Sequence, residues 1–85
     1  MENLEIIEYG SKSCVKCKIL DRTLKNVSLP SELKKVYMED DKEAFEKEGI
    51  TNLPTLVIKN GDKKEVLNGP ILPKQILEAI KNVRF

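Results

Sequence analysis

Histidine and tryptophan are absent from this 85-residue chain, cysteine occurs only twice, and two tyrosines and two phenylalanines supply all the aromatic rings. Each shortage excludes something. Two cysteines without histidine cannot complete a four-ligand zinc site within one chain, so a structural zinc would need a dimer around the ion. Two cysteines are also far from the dense framework of a small secreted disulfide scaffold. Scarce aromatics, with Lys and Glu interspersed along the chain, argue against nucleic acid as a partner, because base stacking and a clustered basic face are both missing. Charged residues make up 34% of the chain, yet the net charge is +1, so no large field of one sign is implied. No apolar run is long enough for a signal peptide or a bilayer span, and the opening Met1-Glu2-Asn3-Leu4-Glu5 is acidic. The expectation is a cytoplasmic, monomeric protein with no membrane partner.

At this length residues 1–85 form a single domain. Its core is small, so any active site lies near the surface. Residues 4–9 alternate as a strand, and Gly10-Ser11-Lys12-Ser13 break it with turn formers. From Cys14 the apolar period changes: Cys17, Leu20, Leu24 and Val27 follow a helical spacing, ending near Ser28 and Pro30. Leu33 to Met38 read as a second strand. Asp40-Asp41-Lys42-Glu43 then suggests a capping box, an acidic N-cap with Glu three residues on, opening a short helix to Glu48 with Gly49 as its C-cap. Thr55 to Ile58 and Lys63 to Leu67 flank Asn60-Gly61, a strong hairpin signal. Pro73 starts a last helix with Leu72, Ile76, Leu77, Ile80 and Val83 on one face. The order β-α-β-α-β-β-α, with a right-handed crossover making the first two strands parallel, predicts an α/β fold: a four-stranded mixed sheet with helices on both faces.

Cys14-Val15-Lys16-Cys17 opens a helix directly after a strand and a turn. That context gives the pair a chemistry. Cys14 at the helix N-terminus meets unpaired backbone N–H groups and the positive end of the dipole, with Lys12 and Lys16 adding charge, so its thiol is expected to ionise readily. If its pKa fell from about 8.5 to about 7, thiolate at neutral pH would rise roughly sixteenfold, while lower intrinsic nucleophilicity would take back roughly sixfold. The attack rate therefore gains only about threefold. The larger effect is on leaving-group quality and on the stability of the reduced form, at about 30 mV per 1.4 kcal/mol. Cys17, on the apolar face with Leu20 and Leu24, is expected to be covered and to act as the resolving thiol. Two other readings stay open: ordinary buried cysteines, and a dimer bridging a metal through Cys14 and Cys17.

Thr51-Asn52-Leu53-Pro54-Thr55-Leu56-Val57-Ile58-Lys59-Asn60-Gly61, taken with the cysteine pair, strongly resembles the thioredoxins, and the chain's size is that of a glutaredoxin. The resemblance covers most of the chain, without the extra N-terminal strand and helix of full-length thioredoxins. It implies a thioredoxin fold and a thiol-disulfide oxidoreductase with no cofactor beyond the Cys14/Cys17 dithiol. It further implies a cis Pro54, with Leu53 offering its backbone to a bound substrate strand, and a docking rim completed by Val15, Lys16 and Gly69. Glu8, six residues before Cys14, stands where thioredoxins carry a buried acid, and Lys35 where they have a lysine. Glu8 would then exchange a proton with Cys17; the alternative is a solvated carboxylate at a strand end.

The departures narrow the partners. No Trp precedes Cys14, and Val15-Lys16 replaces Gly-Pro between the cysteines. The Val is similar to that of the small redoxins serving ribonucleotide reductase, but Leu67-Asn68-Gly69-Pro70-Ile71 lacks their aromatic segment. The glutathione-binding features of glutaredoxins, a Tyr beside the cysteines and a Gly-Gly-Asp-like turn, are also missing. The resemblance therefore implies protein disulfide substrates, a flavin-containing thioredoxin reductase as electron donor, and ribonucleotide reductase as one candidate client. A rival of another class is a thioredoxin-fold binding module that recognises a partner without turnover.

Overall fold

The computed structural model describes residues 3–85; Met1 and Glu2, part of the acidic opening segment above, lie outside the described residues. The elements are β1 (Leu4–Gly10), α1 (Val15–Lys25), β2 (Leu33–Tyr37), α2 (Lys42–Glu48), β3 (Thr55–Asn60), β4 (Lys63–Asn68) and α3 (Pro73–Arg84). The strands lie in the order β2-β1-β3-β4. β1 and β2 are parallel, while β1–β3 and β3–β4 are antiparallel. This is the mixed sheet that the element order predicts.

Strand parity decides which helix meets which face. Ile6, Leu56 and Ile58 turn to one side, where they pack with Leu20 and Leu24 of α1 and Ile76, Ala79, Ile80 and Val83 of α3. Ile7, Tyr9 and Val57 turn to the other and meet Phe45 of α2, with the Tyr9 and Phe45 rings edge to face at 5.2 Å between centroids. Burying each such aliphatic side chain contributes about 1.5–3 kcal/mol. Leu56 is fully buried. Truncating it to Ala would cost about 2–5 kcal/mol, because the packed surroundings cannot collapse into the space it leaves.

Four expectations need correction. α2 starts at N-cap Asp41, whose side chain accepts from the Ala44 N–H; N3 is Ala44 rather than Glu43, so no capping box forms there. Gly49 does close that helix, at φ 69°. Because Asn60 pairs with Lys63, the tight hairpin loop is Gly61-Asp62, one residue later than the Asn60-Gly61 signal suggests. Leu72 and Leu77 are 62% and 54% exposed, so the buried face of α3 is Ile76, Ala79, Ile80 and Val83. α1 ends at Lys25, capped by Asn26, and Val27 packs on the core from beyond the helix.

Candidate active site

The turn after β1 delivers Cys14 as the N-cap of α1. Its backbone is extended, at φ −84° and ψ 114°, and its Sγ accepts a hydrogen bond from the Cys17 N–H at 3.1 Å. An N-cap normally offers an oxygen to these orphan donors; here the sulfur takes that place. Cys14 and Cys17 are joined as a disulfide with Cα atoms 5.2 Å apart. The two sulfurs differ in access. Cys14 is half-buried, whereas Cys17 is 4% exposed, on the same helix face as Leu20 and Leu24.

The loop before Cys14 is held by an acid from across the chain. Glu39 accepts from the Ser11 hydroxyl at 2.8 Å and from the Lys12 backbone N–H at 3.1 Å. The Ser11 hydroxyl bond and these backbone contacts hold Glu39 below the usual carboxylate range. Lys12 is turned aside: its Nζ bonds Asp40 at 3.0 Å and lies 5.8 Å from the centre of the Tyr37 ring. Its charge is thus met by Asp40, and of the two lysines expected to assist Cys14 only Lys16 has no such partner among the described residues.

Glu8 is 4% exposed, which removes the solvated alternative. Burial, then the hydrogen-bonding and charge of the nearby Asp21 carboxyl, push its pKa up to about 8, against the pull of Lys35. Lys35 is the register partner of Glu8 on β2 and pairs with Asp21 at 3.3 Å. Partial burial works against its charge, but the carboxylates of Asp21 and Glu8 outweigh that and raise its pKa.

On the other flank runs an apolar groove of about 270 Å³, lined by Lys16, Ile19, Leu20, Pro54, Gly69, Pro70 and Ile71. Pro54 is buried and follows a cis peptide bond from Leu53. Thr55 steadies this corner by donating its hydroxyl to the Asn52 carbonyl at 2.6 Å. Gly69 turns the chain at φ 72°, a conformation that strains other residues. Of the expected rim, Lys16, Pro54 and Gly69 come together here. Val15 stands 71% exposed at the start of α1 outside the groove lining, and the Leu53 side chain packs toward Phe45 on the opposite layer.

Sequence reasoning passed over Ile19, Ile71 and Asp21. Ile19 carried a signal, an isoleucine beside the cysteine motif yet off the 17/20/24 stripe, and it is 58% exposed. Asp21 carried another, an acid four residues after Cys17 and therefore on the same helix face.

No protein-family model matches the chain, and no curated protein does. Solved structures do. Thioredoxin from Fasciola hepatica superposes with a TM-score of 0.79 at 21% identity, over 94% of this chain and 80% of that one. A mutant thioredoxin from Halobacterium salinarum gives 0.81 at 14% identity, over 95% and 74%. Chloroplastic thioredoxin z gives 0.78 at 23% identity, over 95% and 78%. The chain has the thioredoxin fold. In it, a Cys-x-x-Cys disulfide caps α1, and Lys16 between the cysteines lines the same groove as cis-Pro54. Among the described residues no group of three or more Cys, Asp or Glu side chains could hold a metal ion.

Proposed function

We propose that this protein is a thiol-disulfide oxidoreductase, a cytoplasmic dithiol carrier that reduces disulfides in other proteins. The observation that carries the reading is the unequal exposure of the linked sulfurs, Cys14 reachable at a helix N-terminus and Cys17 covered. An incoming thiolate or target can reach only the first. In the reduced protein the Cys14 thiolate attacks one sulfur of the target disulfide and releases the other as a thiolate. Cys17 then attacks Cys14 Sγ, the mixed disulfide breaks, and the reduced target leaves. Two electrons have passed to the target and the Cys14–Cys17 disulfide has formed. The groove at Lys16, Ile19, Pro54 and Gly69 docks the apolar residues flanking the target cysteine, with Val15 at its rim and the Leu53 backbone pairing with the substrate strand. The electron donor is a flavin-containing thioredoxin reductase, and ribonucleotide reductase is a candidate client.

The test is equilibration of the Cys14/Cys17 pair against dithiol/disulfide buffers with thiol trapping. A reversible two-electron midpoint of roughly −200 to −270 mV supports a carrier. A pair that forms no disulfide at any poise removes the dithiol mechanism. A Cys14→Ser variant that still binds its partners as tightly, in a parent that never turns over, would instead establish a binding module.

A further inference from the structure

The groove beside the disulfide has one charged residue in its lining, Lys16; the rest is Ile19, Leu20, Ile71, two prolines and Gly69. Its walls come from residues 9–20, 49–61 and 66–77, and none of the chain's 14 acidic residues falls in those stretches. The acids collect elsewhere. Glu39, Asp40, Asp41, Glu43, Glu46 and Glu48 crowd in and just before α2, on the opposite face of the sheet from α1 and α3. Neither α1 nor α3 carries an acid in its first turn, and each carries a lysine there, Lys16 and Lys74.

The other lysines of these stretches are engaged away from the groove. Lys12 pairs with Asp40 at 3.0 Å, Lys59 pairs with Glu48, and Lys18 faces a smaller cavity with Glu8 and Asp21. Lys16 and Lys74 are exposed, and neither is in an ion pair among the described residues.

An apolar groove without acids cannot offset the Lys16 charge from within. Water does so while the groove is open. A client segment that covers the groove strips part of that water; a carboxylate beside the covering apolar residue restores a counter-charge, whereas an ammonium there meets a like charge. On the other flank of Cys14 the nearest acids are already held, Glu39 by the Ser11 hydroxyl and the Lys12 N–H, and Asp40 by Lys12 Nζ. The groove side therefore presents positive charge alone, next to the reactive sulfur.

We propose that Lys16 is a specificity-determining residue, and that the groove selects protein disulfides whose attacked cysteine has an apolar residue and an acidic residue beside it. The inference rests on the redox reading above and names its substrate class. The apolar residue enters the lining of Ile19, Pro54 and Ile71, and the acid lies over Lys16. An exposed ion pair strengthens association by roughly 1.4- to 5-fold, and a like charge in the same place weakens it by a similar factor. Clients with Glu and with Lys at one position then differ by about 2- to 25-fold.

The experiment uses peptides that differ only in a Glu, Gln or Lys beside a common Leu flanking one cysteine, with the varied residue placed on either side of that cysteine in turn. Each cysteine is activated as a disulfide with the same coloured aromatic thiol, whose release reports attack on the peptide sulfur. Rate constants with the reduced parent should follow Glu, Gln, Lys in falling order on one side of the cysteine, with at least about threefold between the ends at low salt. The spread should collapse near about 1 M salt, where the screening length is about 3 Å. Lys16→Gln should bring the rates together and Lys16→Glu should reverse their order. Lys16 lies between the cysteines, so both variants also alter Cys14 itself; ratios among peptides within one variant cancel that common factor. Equal rates in the parent, a preference for Lys, or an order unchanged in Lys16→Glu overturns the proposal. Failure of the redox reading looks different, since no peptide then reacts. In that case affinities of the oxidised chain for the same peptides with methylated cysteines, read from amide chemical shifts, still decide: Glu above Lys, with the difference lost in Lys16→Gln, upholds the charge-selective groove, and equal affinities overturn it.

Discussion

Gly10 and Cys17 are in contact: a Cβ on Gly10 would lie 3.0 Å from Cys17 Sγ and 3.5 Å from its Cβ. Both residues are buried, and Gly10 is fixed in β1 by pairing with Tyr37, so neither can easily retreat. Gly10→Ala should therefore destabilise the protein by about 1–3 kcal/mol, the usual cost of overpacking a filled interior. Urea unfolding of the parent and the variant, both oxidised, measures it. Equal midpoints would mean that α1 shifts freely at Cys17.

The unequal exposure of the two sulfurs makes a kinetic prediction. After complete reduction, iodoacetamide should modify Cys14 at least about tenfold faster than Cys17, because Cys17 is covered and Cys14 is reachable at the helix N-terminus. Peptide mapping of briefly alkylated protein distinguishes the sites. Equal labelling, or Cys17 first, would reverse the assigned roles of attacking and resolving thiol.

The groove predicts a split between large and small substrates. Ile19 is 58% exposed, so Ile19→Asp should leave the fold intact while placing a charge in the apolar lining. Losing about 1.4 kcal/mol of docking energy weakens association about tenfold. The KM for a protein disulfide such as those of insulin should rise by that order, with little change for a small aromatic disulfide that touches only Cys14. A parallel loss on both substrates would place the effect at the sulfurs instead.

Local chemistry makes much of this molecule readable from its sequence. Periodicity identifies the elements because each helix and strand buries one face, and Cys14-Val15-Lys16-Cys17 stands out through its spacing and its place after a strand. The errors fall where tertiary contact overrides pattern. Leu72 and Leu77 extend the apolar stripe of α3 on paper, but the sheet is covered by Ile76, Ala79, Ile80 and Val83, leaving them outside. Lys12 sits two residues before Cys14, yet Asp40, 28 positions later, takes its charge. The meeting of Glu8, Asp21 and Lys35 needs three elements at once: helix spacing from Cys17, parallel register between β1 and β2, and α1 lying across the sheet. No short window of sequence contains all three.

The raised pKa of Glu8 has a consequence for stability whose sign is fixed. A carboxyl at about 8 in the folded chain and about 4.5 when unfolded leaves the native state holding more protons than the unfolded state between those values. Stability from this group is therefore undiminished below about pH 4.5 and falls as pH rises toward 8, with the full loss above it. Glu8→Gln keeps the shape of the protonated acid and carries no charge at any pH. The variant should match the parent near pH 5 and exceed it at pH 9, where the parent must bury the charge beside Asp21. Urea midpoints of the oxidised proteins at the two pH values give the difference directly, and taking the parent against the variant cancels the groups that titrate alike in both. Parallel pH dependences would mean that Glu8 ionises in the folded protein as easily as in the unfolded chain, so that neither its burial nor Asp21 holds a proton there.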